Sequence, residues 1–527
     1  MGPEFMYHGF RYLQIIGLDE APKPEDFTAL RLRSDMDLAG TFKTSNSLLN
    51  DIHVICRDAI QSQLYNSITD CPHREKLGWL DVPNEMFNSL VYNYDMENFF
   101  KKVVLDCFDA QYSNGRVPST VPHFMSVYDD DPNWGGAAIL VPYRSWKTYG
   151  DVTTMTKFYP QMKKLMDYYT SKTVNHIMPG SNYSVLSDWG QETAGVNPMV
   201  PGEFTITTTY YYMLNAMAEI ASFLGKDVDA KGFLTQAQNT KKAFNERFYK
   251  DGVYEYGQQS EFAMPLYYGL VDQENEELVA AKLAERVKKD NYKIKTGEIG
   301  LKPLFMSLAK YGYNDIVYQM ANQTDCPSYG YWVKQGYTTT PEYWDVGAFS
   351  QNHCMMDHIE EWFFSQLGGI RNEGNAFDVI RIEPWIPEDM NHLDVTTRSI
   401  YGNIRCHYER GVDNEMNYTF EIPANSQANI VLPCLNHQSV FENGKDVKNG
   451  EKGVVSVEYK DGKAYLKMGS GNYTLQIKKK EATGIQEVNI SRARLNDVYY
   501  DLEGRNHGKV RPSQKGIFIW NQKKVVL

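Results

Sequence analysis

Several features that would settle the class of this chain at once are missing. No apolar run among its 527 residues approaches the ~18 that a membrane span needs. Basic residues are in deficit. Lys and Arg number 54 against 66 Asp and Glu, a net charge of −12, which argues against nucleic acid or an anionic membrane as partner. The seven cysteines, Cys56, Cys71, Cys107, Cys326, Cys354, Cys406 and Cys434, form no CxxC pair and no Cys/His cluster at zinc spacing. Nothing in the sequence calls for a metal or a cofactor. The odd count leaves at least one thiol free, and buried unpaired cysteine is the simplest reading. No internal repeat or low-complexity tract occurs. Hydrophobic residues at 42% and charged residues at 23% exclude a disordered chain. What is in surplus is aromatic: 13% of residues, with 37 Tyr and 9 Trp. Core packing takes most of these, but Tyr and Trp on an acidic chain also suit carbohydrate, whose C–H faces stack on rings.

The pattern along the chain changes twice. Met1 to Phe5, followed by a second Met, reads as an expression-vector remnant. Tyr7 to Ile16 and Ala29 to Arg33 read as strands, expected to be the remnant of a truncated N-terminal β domain over 1–40. From 41 to 371 the period is helical. Leu48, Ile52, Ile55, Cys56 and Ala59 follow a candidate N-cap at Thr44 or Ser45, and amphipathic segments cover 151–172, 206–224, 232–248, 274–289, 302–323 and 354–366. Long loops rich in Gly, Pro, Asn, Asp and aromatics separate them, which points to a helical toroid with a loop-built active face. Over 372–480 short alternating strands at 377–383, 402–408, 416–422, 428–432 and 473–477, with turn signals at Asn443-Gly444 and Asp461-Gly462, predict an antiparallel β-sandwich. A linker at Lys478 to Glu481 then leads to a small β tail over 481–527.

Two loops hold the densest chemistry. Thr69-Asp-Cys-Pro-His-Arg-Glu-Lys-Leu-Gly-Trp-Leu-Asp81 carries Asp70, Glu75 and Asp81 beside Arg74 and Trp79, and Pro72 keeps it out of a helix. Tyr337-Thr-Thr-Thr-Pro-Glu-Tyr-Trp-Asp345 with Ser350-Gln-Asn-His353 carries Glu342, Asp345 and His353, and Leu186-Ser-Asp-Trp-Gly190 is a third cluster. Separated carboxylates between aromatic walls suit glycoside hydrolysis, in which one carboxylic acid protonates the leaving oxygen and a carboxylate activates water or attacks. Acid-rich loops are most often solvated turns. An Asp/Glu/His set can also ligate calcium, although neither loop has the EF-hand pattern.

Asp70-Cys-Pro-His-Arg-Glu-Lys-Leu-Gly-Trp79 resembles the signature of glycoside hydrolase family 78, the α-L-rhamnosidases. The resemblance continues in order through Asn114-Gly-Arg-Val-Pro118, Trp134-Gly, Leu140-Val-Pro142, Tyr149-Gly-Asp151, Ser187-Asp-Trp189, Thr296-Gly, Tyr329-Gly-Tyr-Trp332, Thr338-Thr-x-x-Glu342, Trp344-Asp345 and Asn352-His353, covering roughly 7–480. It implies a mainly α chain: an (α/α)6 barrel catalytic domain with a flanking C-terminal β-sandwich. It also implies an inverting, cofactor-free, exo-acting hydrolase that releases terminal α-L-rhamnose from a plant polysaccharide or glycoside. Glu75 matches the general acid, a role that needs a partly buried pocket, and Glu342 the general base. Asp70 matches a sugar-binding aspartate, with an N-cap or a partner of Arg74 as the rival reading. Trp79, Asp188, Trp189, Trp344 and His353 match pocket residues, with core packing the rival for the tryptophans and for His353. Cys71 and Arg74 read as structural.

This chain departs from the pattern in three places. Asp81 follows Leu80 at once where many members have Gly-Asp, one residue short, and the resemblance implies that it takes the role of that aspartate as a substrate-binding residue. Pro341 stands where a Trp is frequent. Glu298 adds a carboxylate where many members are apolar, so it is an alternative base. The departures keep open a related glycosidase or lyase acting on another deoxy sugar or uronide, and a non-catalytic glycan-binding protein. The tail from Val498 to Val525 resembles C-terminal tails of exported proteins from gram-negative glycan degraders, which implies a periplasmic or extracellular location. Oligomeric state is not readable.

Overall fold

The computed structural model describes residues 6–526 apart from 11, 125–127, 182–183, 346, 348, 413–414, 480–497, 509–511, 514 and 521–522. Two compact units result, Met1–Lys478 and Lys479–Leu527.

The first unit is dominated by helices α1 (Ser47–Gln63), α2 (Asp81–Glu85), α3 (Phe87–Asn93), α4 (Glu97–Asp109), α5 (Pro132–Gly135), α6 (Ala137–Tyr149), α7 (Val152–Lys172), α8 (Gly202–Phe223), α9 (Asp227–Phe248), α10 (Gln259–Tyr268), α11 (Glu276–Lys289), α12 (Glu298–Lys310), α13 (Asn314–Ala321), α14 (Tyr329–Lys334) and α15 (Ile359–Trp362). They sort into two rings by burial. In α8 the run Thr205 to Tyr210 is buried residue after residue, so the helix is enclosed on all sides. In its partner α9 only Ala230, Phe233, Ala237, Thr240, Phe244 and Phe248 are buried, one stripe at helical spacing. The same contrast repeats. Helices α3, α6, α8, α10, α12 and α15 line the inside, while α1, α4, α7, α9, α11 and α13 cover them. The inner ring closes because α15 packs on both α12 and α3.

This division bears on one of the helices that the sequence pattern overlooked, whereas α4, an outer helix with a buried stripe from Phe100 to Phe108, was overlooked as well. Helix α10 is buried throughout but for Tyr267, so no polar face marks its period. The predicted helix over 302–323 is two, broken at Gly312 in the left-handed region (φ +85°). The predicted 354–366 helix is reduced to α15 and one π-helical turn, Phe363–Leu367. The N-cap of α1 is neither Thr44 nor Ser45 but Asn46, whose side chain accepts from the amides of Leu48 and Leu49 at 3.1 and 3.3 Å.

Connections from inner to outer helices are short: 94–96, 150–151, 224–226, 269–275 and 311–313. Those from outer to inner helices are mostly long, as at 64–80, 110–131, 173–201 and 335–358. All the long loops therefore gather at the end of the barrel where the inner helices begin, and those N-termini turn their positive dipole ends toward it.

Strands are β1 (Thr41–Thr44), β2 (Tyr249–Lys250), β3 (Val253–Tyr254), β4 (Ile370–Asn372), β5 (Val379–Ile382), β6 (His392–Ser399), β7 (Gly402–Arg410), β8 (Met416–Ile422), β9 (Gln427–Pro433), β10 (Gln438–Glu442), β11 (Lys445–Asp446), β12 (Val454–Lys460), β13 (Lys463–Met468), β14 (Gly471–Lys479), β15 (Tyr499–Asp501), β16 (Ile517–Trp520) and β17 (Lys523–Val526). A seven-stranded sheet, β1-β6-β7-β8-β14-β10-β11, and a five-stranded sheet, β12-β13-β9-β5-β4, make the C-terminal β region. Their strands alternate, as in β8, where every second residue from Met416 to Ile422 is buried. Asn443-Gly444 and Asp461-Gly462 both have positive φ and turn β10 into β11 and β12 into β13, as two-residue hairpin turns require.

Three findings differ from the sequence reading. The described residues of 7–16 and 29–33 carry no strand and are largely exposed. The strand near the N-terminus is instead Thr41–Thr44, which adds to the edge of the larger sheet beside β6. The sandwich is not wholly antiparallel, since β5 and β9 pair in parallel. At the expected linker, Lys478 and Lys479 finish β14, while 480 and 481 lie outside the described residues. In the second unit β15, β16 and β17 form one antiparallel sheet. No disulfide joins any of the seven cysteines. No helix among the described residues is long and apolar enough to cross a membrane.

Candidate active site

A cavity of about 600 Å³ opens at the barrel end where the long loops gather. Eight residues singled out in the sequence line it: Asp70, Glu75, Trp79, Asp81, Trp189, Glu298, Glu342 and His353. They come from three loops and from the first residues of α2 and α12, joined because the first and last inner helices meet.

The first loop is tied back on itself. Asp70 N donates to Leu77 O at 3.0 Å, and Leu77 N donates to Asp70 Oδ1 at 2.9 Å. Asp70 is thus neither a helix cap nor the partner of Arg74. Its loop is also locked to the next one. Val121 N donates to Gly78 O at 2.8 Å, and a Cβ on Gly78 would sit 2.0 Å from Val121 O. Only glycine permits that approach. Glu75 is exposed rather than partly buried, and its Oε2 accepts from Trp79 Nε1 at 2.9 Å.

Glu342 closes its own loop. Its amide donates to Ser350 O at 2.9 Å, and Ser350 N donates to its Oε2 at 3.1 Å. Trp189 Nε1 donates to Oε1 at 3.3 Å, and Arg74 Nη1 stands 3.6 Å from Oε2. Each of the two glutamates is therefore held by an indole N–H. Arg74, read as structural from sequence, belongs to the cavity: it reaches Glu342 and lies over the Phe349 ring at 5.0 Å.

Burial sets the protonation of this cavity. It pushes Asp70 up to about 7 and Asp81 up to about 6. Burial also raises Glu342, with the Ser350 amide, the Trp189 indole and Arg74 pulling the other way. His353 is pushed down to about 3 by burial and by the nearby His73 and Arg74, so its ring is neutral at pH 7. Glu298 is raised well above the usual range by burial and by Asp81 facing it. That shift favours its neutral form, in which a carboxyl cannot accept the proton of a water, and so speaks against it as the alternative base.

Two predicted pocket residues do not line the cavity. Asp188 is buried, and its carboxylate accepts from Ser260 Oγ at 2.6 Å and from Gly300 N at 2.8 Å. It pins the loop bearing Trp189 to the start of α10 and α12, and so positions rather than contacts. Trp344 has no exposure, stacks on Trp332 at 4.6 Å and donates to Thr296 O at 2.9 Å. It is a core tryptophan. Trp344→Ala is expected to cost about 3–5 kcal/mol of stability, read as a lowered unfolding midpoint; an unchanged midpoint with weakened sugar binding would restore the pocket reading.

The sequence reading missed Phe124 and Tyr128, which carry no motif of their own, Leu186, which only opened the third cluster, and Trp134, whose Trp-Gly pair belonged only to the resemblance. Phe124 is 70% exposed and stands at the rim, whereas Trp134 is buried.

Residues 37–367 match the family model of the bacterial alpha-L-rhamnosidase 6 hairpin glycosidase domain, and residues 369–446 that of the bacterial alpha-L-rhamnosidase C-terminal domain. An alpha-L-rhamnosidase of Formosa agariphila is 28% identical over 509 residues, covering 91% of this chain and 52% of its own length. One of Streptomyces avermitilis is 24% identical over 487 residues, covering 90% and 45%. The chain spans about half the length of the curated relatives it matches. Among solved structures, the alpha-L-rhamnosidase from Dictyoglumus thermophilum is similar with a TM-score of 0.80 at 27% identity, over 88% of this chain and 53% of that one. The enzyme from Aspergillus terreus shares the fold at a TM-score of 0.78 and 24% identity, over 90% and 55%.

Proposed function

The chain belongs to the bacterial α-L-rhamnosidase six-hairpin glycosidase family, and on that premise we propose that it is an exo-acting glycoside hydrolase releasing terminal α-L-rhamnose from plant polysaccharides or glycosides with inversion. Glu75 gives its proton to the leaving oxygen as the C1–O bond breaks. Glu342 takes a proton from the water that attacks C1 from the opposite face, so both carboxyls are restored by exchanging protons with solvent. The observation that carries this reading is the pair of glutamates on one cavity, each oriented by an indole N–H: Trp79 on Glu75 and Trp189 on Glu342. A sugar seated against the tryptophans meets both.

A panel of aryl glycosides tests the substrate. Turnover of the α-L-rhamnoside above the α-L-fucoside, β-D-glucoside and uronides supports the reading; turnover of another glycoside with none of the rhamnoside overturns it. We place the enzyme in the periplasm or outside the cell, on the resemblance of its tail to those of exported proteins, and fractionation of native cells tests that.

The pH profile follows from Glu342. The base must be ionised, and its carboxyl is held above the ordinary range. The acid limb of kcat/KM is therefore expected above pH 4.5, with activity lost as pH falls through it. Arg74 opposes that shift, so Arg74→Met should move the limb to higher pH; a limb that stays in place would assign it to another group.

A further inference from the structure

Glu75 is exposed, so little packing holds in one place the carboxyl that the proposed mechanism needs. The bend that carries it is pinned where Leu77 N donates to Asp70 Oδ1, and inside it the Glu75 amide donates to Cys71 Sγ at 3.3 Å, a soft acceptor. The next residue is strained. Lys76 sits in the left-handed region at φ 57°, a conformation that a residue with a Cβ keeps only where its surroundings enforce it.

The enforcing contacts come from the N-terminal segment. Lys76 Nζ donates to Tyr7 O at 2.6 Å and lies 4.5 Å from the centre of the Tyr7 ring, a charge-assisted bond and a cation–π contact from one ammonium. Tyr7 is the half-buried residue of an otherwise exposed stretch, Met6 to Phe10. Its ring stacks on Tyr65 at 4.1 Å with 19° between the planes, and Tyr65 stands just past the end of α1. Burial, then Tyr65, Asp70 and Cys71, push the Tyr7 hydroxyl up to about 12 while Thr69 bonds to it, which places it at the foot of the acid's loop. Further along, a Cβ on Gly9 would stand 3.1 Å from Cβ of His73. Gly9 and Phe10 also share a second cavity, of about 560 Å³, with Pro72 and His73 of this loop and with Thr339 and Asn352 of the loop that carries Glu342. Tyr7 to Phe10 is therefore a strap that ties the acid's loop to the barrel at Tyr65.

We propose that Tyr7 is a positioning residue for the general acid: through Lys76 its segment clamps the bend and sets where the Glu75 carboxyl stands. The inference rests on the role proposed for Glu75 and gives a part in it to a residue outside the matched glycosidase domain, 37–367.

The test is kcat and KM of wild type, Tyr7→Ala, Tyr7→Phe and Lys76→Met on an alkyl and on an activated aryl α-L-rhamnoside, with melting curves to confirm folding. A misplaced acid matters only where the leaving group needs its proton. Tyr7→Ala and Lys76→Met should lower kcat ~10–100-fold on the alkyl glycoside and stay within ~3-fold of wild type on the aryl glycoside. Tyr7→Phe keeps the stacked ring and the carbonyl, so it should stay within ~3-fold on both. In Glu75→Gln, where no proton is left to place, Tyr7→Ala should add less than ~3-fold. Equal losses on the two substrates, or no loss on either, would overturn the proposal. If wild type hydrolyses no rhamnoside, the proposed function fails by itself, and the clamp is read by hydrogen exchange. Faster exchange over Cys71 to Trp79 in Tyr7→Ala but not in Tyr7→Phe, with Leu186 to Gly190 unchanged, supports the clamp; exchange equal to wild type over Cys71 to Trp79 overturns it.

Discussion

Glu342→Ala is expected to lower kcat/KM on an aryl α-L-rhamnoside by about 10²–10⁴-fold, the usual contribution of a positioned general base, and azide is expected to restore turnover. The reason is geometric. Truncating Glu342 removes the proton acceptor and leaves space beside Trp189 and Ser350, its present donors. Azide needs no deprotonation, so it can attack C1 from the side where water attacked. The product should be the β-azide, of inverted configuration, and NMR of the first-formed sugar from wild type should show the same inversion. Inversion also requires room for water, so the two carboxyls in a sugar complex should stand ~6.5–9.5 Å apart rather than ~5–5.5 Å. Because azide in place of a nucleophile would also give the inverted azide, a first-formed wild-type sugar of retained configuration, or a trapped glycosyl-enzyme, is what would make Glu342 a nucleophile. Rescue of Glu298→Ala and not of Glu342→Ala would return the base to Glu298 in spite of its burial.

Glu75→Gln should divide substrates by leaving group. On natural-type glycosides, whose alkoxide departs only with a proton, the loss should again be about 10²–10⁴-fold. On an activated aryl glycoside it should be far smaller, because a stabilised phenolate leaves without help. The amide keeps the size of the side chain and a carbonyl for the Trp79 indole, which now donates to Glu75 at 2.9 Å, so loop geometry is preserved. Equal losses on both substrate types would show that Glu75 binds or orients the sugar rather than protonating the leaving oxygen. Asp70, buried in the same loop and raised to about 7, would then be the acid to test next.

The sequence by itself determined the repertoire of this protein. Helical period followed by strand period, the loops rich in acids and aromatics, and the ordered motifs were all local, because each depends on residues a few positions apart. That is why α7, α9 and α11, with one buried stripe each, were legible, as were the hairpin turns at Asn443-Gly444 and Asp461-Gly462. The inner helix α10 was not, since a helix buried nearly throughout has no polar face to mark its period. The tertiary structure decided what each candidate residue is for. Trp189 and Trp344 are the same residue type in similar motifs, but one faces the cavity and the other stacks on Trp332 with no exposure. Asp188 spends its oxygens on Ser260 and Gly300. Arg74 gains a place in the site only because closure of the ring brings Glu342 to it. Glu298 has the chemistry of a base in isolation, and burial, with Asp81 of α2 beside it, presses it toward its neutral form. The chemical capacity of a side chain is written at its own position. Its exposure, its partners and its proton depend on residues remote in the chain, which only the closed barrel brings within reach.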